Sequence, residues 1–177
     1  MILCVDDIGD CLENQSERMR IYLSGAIEYA PDRGRAWRAA ITPILEAQGH
    51  QVYDPARDEK KNLDEVEIRQ FREWKRTDLA RFQATIRKII AYDLDWIEQK
   101  TEAVVCYWDE YCGQGAGTQA ELTFAHRLGI PVYLVAAMPV EKISGWILGC
   151  SSRIFRTMEE MQEHFEESAA TEEVRSE

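Results

Sequence analysis

The sequence predicts a doubly wound α/β fold, and two observations carry that expectation. Short apolar runs rich in β-branched and aromatic residues recur along the chain, and helical patterns fill the gaps between them. RIYLSG (20–25), EAVVCYW (102–108) and IPVYLVAA (130–137) read as buried strands of a parallel sheet, each bounded by turn formers or charges. HQVYDP (50–55) is a weaker fourth, stopped by Pro55, and SRIF (152–155) a short fifth candidate. In such folds ligands sit beyond the carboxyl ends of the strands.

The helical segments follow in order. GRAWRAAITPILEAQG (34–49) puts Trp37, Ala40, Ile41, Ile44 and Leu45 on one face and ends in a glycine suited to a C-cap. Residues 63–99 form a long helical region, expected to break into two or three helices. TQAELTFAHRLG (118–129) is a short helix with a glycine stop, and TMEEMQEHFEE (157–167) a terminal amphipathic helix. ILCV near the start reads as an extra strand or a packed arm, and DDIGDCLENQSER as polar linker. The expected organisation is an extension over 1–18, one domain over 19–167 and an acidic disordered tail over 168–177.

A chain of 177 residues suits one domain with a core large enough to fold alone. Its net charge of -11 would be repelled by the phosphates of DNA or RNA and by anionic membrane surfaces. That excludes a polymeric nucleic-acid partner but leaves room for a small nucleotide or nucleoside in a local pocket. Cys4, Cys11, Cys106, Cys112 and Cys150 are odd in number and form no C-x-x-C pair, so they read as reduced cytoplasmic thiols. No apolar run approaches the roughly 18 residues of a membrane span. MILCVDDIGD is too short and too acidic for a signal peptide, and the expected location is the cytoplasm.

GQGAGTQAELTFA (113–125) raises the main chemical question. It lacks the third glycine of a dinucleotide fingerprint, follows a later strand, and has no G-K-[ST] of a P-loop. TQAE alone reads as a capping box, with Thr118 as N-cap and Glu121 reaching back to its amide. That reading leaves Gly113, Gly115 and Gly117 unexplained, whereas glycines let backbone approach a ligand closely. A carboxylate in a first helical turn is kept ionised by the helix dipole, and an ionised, positioned carboxylate suits a covalent nucleophile.

Other candidates have two readings each. Tyr22 is a packed strand residue or a hydroxyl reaching a site at the strand end, and SGAIE, with Gly25 and Ala26, falls at the same ligand-facing edge. Asp109 ends a strand, where an aspartate usually caps a turn. Asp95 and Glu98 read as solvated helix residues, whereas Asp93 and a second carboxylate converging on one pocket would divide acid and nucleophile roles. His50, His126 and His164 lack metal-ligand spacing, and Ser24, Ser144, Ser151 and Ser152 lack a nucleophile-elbow context. SGWILGCSS (144–152) is a loop or a short helix lining a site or an interface.

IYLSGAIE…GRAWR, YDLDWI, VVCYWDE, GAGTQAELTFAHRLGIPVYLV and ISGWILGCSSRIF, in this order, resemble the nucleoside 2-deoxyribosyltransferase family, in its branch with Gly-Arg-x-Trp-Arg and Gly-Ala-Gly-Thr segments. The match covers roughly residues 20 to 166. The related 2′-deoxynucleoside 5′-phosphate N-hydrolases share this framework. The resemblance implies a flavodoxin-like three-layer sandwich with a central five-stranded parallel sheet, and a homodimer or higher homo-oligomer. It implies Glu121 as nucleophile toward C1′ of the deoxyribose, Tyr22 as its orienting hydrogen-bond donor, and Asp93 as the group that assists the leaving base. Gly25, Ala26, Gly115 and Gly117 would line the substrate, with Asp109 as a further base contact. Ser144 would reach a neighbouring subunit's site at the 5′ end of the sugar. The chain departs from the family at Gly115, where an aspartate is expected, and in the length of 56–90.

The function so implied is transfer of deoxyribose from a nucleoside to a free nucleobase through a glutamyl intermediate, with no metal or organic cofactor. The alternatives are an N-glycosidase acting on nucleosides or nucleoside 5′-monophosphates, and a non-catalytic nucleotide-sensing module.

Overall fold

Along β1 (Arg20–Gly25) the side chains alternate between two buried faces, so this strand contributes to both cores of the molecule. The structure, a computed structural model, describes residues 18–58 and 60–175, with side chains as far as 167. Ile21 and Leu23 enter one core with Ile41 and Leu45 of α1 (Arg35–Ala47) and with Met161 and Phe165 of α6 (Met158–Arg175). Tyr22 enters the other, with Ile97 of α3 (Leu79–Lys100), Leu122 and Ala125 of α4 (Gly117–Arg127), and Ile147 of α5 (Gly145–Cys150). The remaining strands are β2 (Gln51–Tyr53), β3 (Ala103–Trp108), β4 (Val132–Ala136) and β5 (Arg153–Phe155). All strand pairs are parallel in the order β2-β1-β3-β4-β5, the flavodoxin-like arrangement, with Ser24 level with Cys106 and Gly25 level with Tyr107. The strand order reverses between β1 and β3, so a crevice opens at their carboxyl ends.

The helical region 63–99 breaks once, at Asp78. This residue ends α2 (Glu65–Thr77) and caps α3, its side chain accepting from the Arg81 amide. Asp64 starts α2 with a capping box closed by Glu67. The α2–α3 pair spans most of 56–90 and leans over the crevice, which it lines with Ile68, Phe71, Phe82 and Ile86. α6 continues to Arg175, past the expected end at 167, through residues such as Ala and Glu that favour helix. The strand or arm expected at ILCV lies outside the described residues, as does all but the last residue of the expected 1–18 extension.

Arg38 fixes the loop after β1. Its side chain is fully buried in α1 and donates to the carbonyls of Gly34 and Gly25 at 3.0 Å each. Its Nε lies 3.4 Å from Asp54, an ion-pair distance without hydrogen-bond geometry. A buried guanidinium needs such a counter-charge, because burial alone pushes its pKa down. The loop it anchors, residues 26–34, forms one wall of the crevice.

Candidate active site

Glu121 is the fifth residue of α4, and its carboxylate is taken by two hydroxyls from β1. Tyr22 Oη donates to Oε1 at 3.0 Å and Ser24 Oγ to Oε2 at 2.5 Å. Strand periodicity explains the pair: residues two apart on β1 face the same side, and that side carries α4. Burial raises the Tyr22 pKa well above the usual phenol value, and Glu121 adds to the effect, so the phenol remains a protonated donor.

The expected capping box at Thr118 does not form. Ala116 is the N-cap of α4 without a side-chain cap, and Thr118 is buried at the second helical position. Glu121 therefore lies one residue beyond the first turn, and its carboxylate turns toward the sheet and not toward the helix start. Its position comes from the two hydroxyls more than from the dipole.

Asp93 projects from α3 and is buried against Lys61, whose Nζ donates to both carboxylate oxygens at 2.7 and 2.8 Å. Burial raises the Asp93 pKa to about 6, against the lowering effect of Lys61. Lys61 and Asn62 both adopt positive φ, 34° and 61°, in the loop after β2. Beside them Asp58 accepts from the hydroxyls of Tyr53 at 3.1 Å and Tyr92 at 2.8 Å. Tyr53 in turn stacks on Trp96 at 3.9 Å between centroids.

Asp58, Lys61, Asp93 and Glu121 line a cavity of about 430 Å³ at the carboxyl ends of β1 and β3, a size common for small-molecule sites. Of the residues expected from sequence, Gly25, Ala26, Asp93, Gly115, Gly117 and Glu121 line it. Tyr22 stands behind Glu121 as a fully buried support. A Cβ at Gly115 would lie 3.3 Å from the Tyr29 ring, whereas one at Gly113 or Gly117 would meet nothing within 4 Å. Of the three glycines in this loop, close packing thus explains Gly115 alone.

Two expected contacts are not part of this lining. Asp109 takes the turn-capping role, its Oδ1 accepting from the amides of Tyr111 at 2.9 Å and Cys112 at 3.2 Å. Ser144 is the N-cap of α5, accepting from Trp146. Conversely, Ser24, Asp58 and Lys61 belong to the site without having been singled out for it. Ser24 had a readable signal, its two-residue spacing from Tyr22. Lys61 had none, because a loop after β2 places it.

No helix among the described residues is long and apolar enough to cross a membrane, and the described thiols Cys106, Cys112 and Cys150 are free and buried. No protein-family model matches the chain, and no curated protein matches it by sequence. Among solved structures it is similar to the 2-deoxyribosyltransferase of the psychrotolerant bacterium Bacillus psychrosaccharolyticus, a biocatalyst for synthesis of antiviral and antitumoral nucleosides. The two share 22% identity at a TM-score of 0.53, over 81% of this chain and 90% of that one. At that identity the likeness is one of fold.

Proposed function

We propose that the protein cleaves the N-glycosidic bond of 2′-deoxynucleosides and transfers the sugar to another nucleobase. The observation that carries this reading is the Glu121 carboxylate, held by Tyr22 and Ser24 beside the cavity. The fold shared with a 2-deoxyribosyltransferase supports it.

In the first step a Glu121 oxygen attacks C1′ as the C1′–N bond breaks, through an oxocarbenium-like transition state. The bonding pair leaves with the base nitrogen, which takes a proton from Asp93. The product is a glutamyl-deoxyribose ester. A nitrogen of the incoming base then attacks C1′, the carboxylate leaves, and the acceptor's proton returns to Asp93. The two hydroxyls on Glu121 orient it for attack and stabilise it again as it departs. The reaction needs no redox partner and no added co-reactant beyond the second base. Small-molecule nucleosides and free bases are thus the partners, in a homo-oligomer whose neighbouring subunit adds Ser144 to the site.

The test incubates a deoxynucleoside with a different free base and separates the products chromatographically. Exchanged nucleoside is the expected result. Free base and deoxyribose without exchange would convert the reading to a hydrolase, and no bond cleavage at all would overturn it. Glu121→Ala should lower exchange by at least about 10³-fold, in line with losing the nucleophile of a covalent mechanism.

A further inference from the structure

Four cationic side chains line the cavity: Arg33, Lys61, Arg72 and Lys75. Two of them have a carboxylate of their own. Lys61 holds Asp93, and Lys75 donates to Glu28 at 2.7 Å. The two arginines do not. Among the described residues, neither guanidinium lies within ion-pair distance of an acid. Both are exposed, and what sets them apart from other cations without an ion pair, such as Arg87 and Arg127, is that they line the cavity.

The two arginines come from different elements and are brought together by the fold. Arg33 ends the loop after β1 and adopts φ 59°, a conformation that residues other than glycine seldom take. Arg72 projects from α2, with its guanidinium 4.7 Å from the Phe71 ring centroid. They are close enough for the charge of Arg33 to lower the Arg72 pKa, after the larger effect of burial, while Glu28 opposes both. The cavity lining also holds Tyr29, with Lys75 Nζ 5.9 Å from its ring centroid.

Two like charges lining one cavity repel, and a bound anion with several acceptor oxygens removes that repulsion. Guanidinium forks match phosphate oxygens in pairs, which makes a phosphoryl group a better match than a single carboxylate. We propose that Arg33 and Arg72 form an anion subsite for the phosphate of a nucleoside 5′-monophosphate, whose sugar and base occupy the rest of the cavity. This identification of the ligand rests on the proposed nucleoside chemistry. The subsite comes from the loop after β1 and from α2, not from the Glu121 helix.

The experiment compares kcat/KM for base release from 2′-deoxynucleoside 5′-monophosphates and from the unphosphorylated nucleosides. Calorimetric binding of the same compounds, of 5-phosphodeoxyribose and of inorganic phosphate runs in parallel. The wild type should prefer the monophosphate by about tenfold or more, as expected for charge-assisted hydrogen bonds. Arg72→Gln and Arg33→Gln should each reduce that preference about tenfold, Arg72→Lys should restore part of it, and added salt should weaken it. Equal rates on both substrates, or unaltered preference in both glutamine variants, would overturn the proposal. So would binding of inorganic phosphate as tight as that of the monophosphate. Arginine-dependent binding of the monophosphate without cleavage would sustain the subsite and sink the transferase reading instead.

Discussion

Tyr22 and Ser24 each bond a different oxygen of Glu121, so together they fix the rotation of the carboxylate plane as well as its position. A hydrogen bond to a charged group contributes about 1.5–3 kcal/mol, or roughly tenfold to a hundredfold in rate if it acts in the transition state. Tyr22→Phe and Ser24→Ala should therefore each lower kcat by that factor, measured by steady-state exchange, with the double variant departing from additivity because both act on one group. Asp93 gives a pH signature. Its carboxyl is protonated below about 6 and ionised above, so the fraction able to donate a proton to the leaving base falls as pH rises through that value. The rate should decline correspondingly on the alkaline side. Lys61 is the main group lowering that pKa, so Lys61→Met should move the decline to higher pH in a kcat–pH profile. A decline unmoved in the variant would mean that another group controls it. At this scale the sequence showed Tyr22, Asp93 and Glu121 through their resemblance. Ser24 could have been found from strand alternation, but the Lys61–Asp93 pair depends on a loop conformation that no periodicity encodes.

The elements that shape the cavity have different degrees of visibility. The sheet and α4 follow from apolar runs and a glycine stop, and both lie within a few residues of their expected bounds. The single break at Asp78 was less visible, since an aspartate within a helical pattern reads equally as a solvated residue. The loop between β1 and α1 showed its ligand-facing start in SGAIE but not its anchor, which is a buried arginine. Gly34 starts α1 at φ 66°, and a Cβ there would overlap Arg38 Nη1 and the Ala26 carbonyl. Gly34→Ala should accordingly destabilise the fold by about 1–3 kcal/mol from backbone strain, with more from displacing Arg38. Urea unfolding reads this directly, as a lower midpoint at unchanged slope. A variant as stable as the wild type would show that the loop re-forms around an alanine without the Arg38 anchor.

For the whole molecule, the cavity is open at the carboxyl ends of the strands and is lined from this chain without Ser144. Ser144 opens α5 next to Trp146, which is 68% exposed although its indole Nε1 donates to Thr123 Oγ1 of α4 at 2.9 Å. A large aromatic fixed in an exposed position at the start of the segment that carries Ser144 suits contact with a second copy, since aromatic residues are enriched where subunits meet. The sequence offered SGWILGCSS as lining a site or an interface, and the resemblance assigned Ser144 to a neighbour's site, but the apolar pattern alone does not record which surface a neighbour covers. If each site combines Glu121 of one chain with Ser144 of another, two separately inactive variants should complement. Glu121→Ala lacks the nucleophile, and Ser144→Trp blocks the neighbour's cavity. A mixed oligomer contains one site with Glu121 and Ser144 both intact. Co-expression with two affinity tags isolates the mixed species, and sedimentation velocity confirms that it is an oligomer. Recovery of part of the wild-type exchange rate is the expected outcome. Mixed oligomers that remain inactive, or a Ser144→Trp variant as active as the wild type, would show that each chain completes its own site.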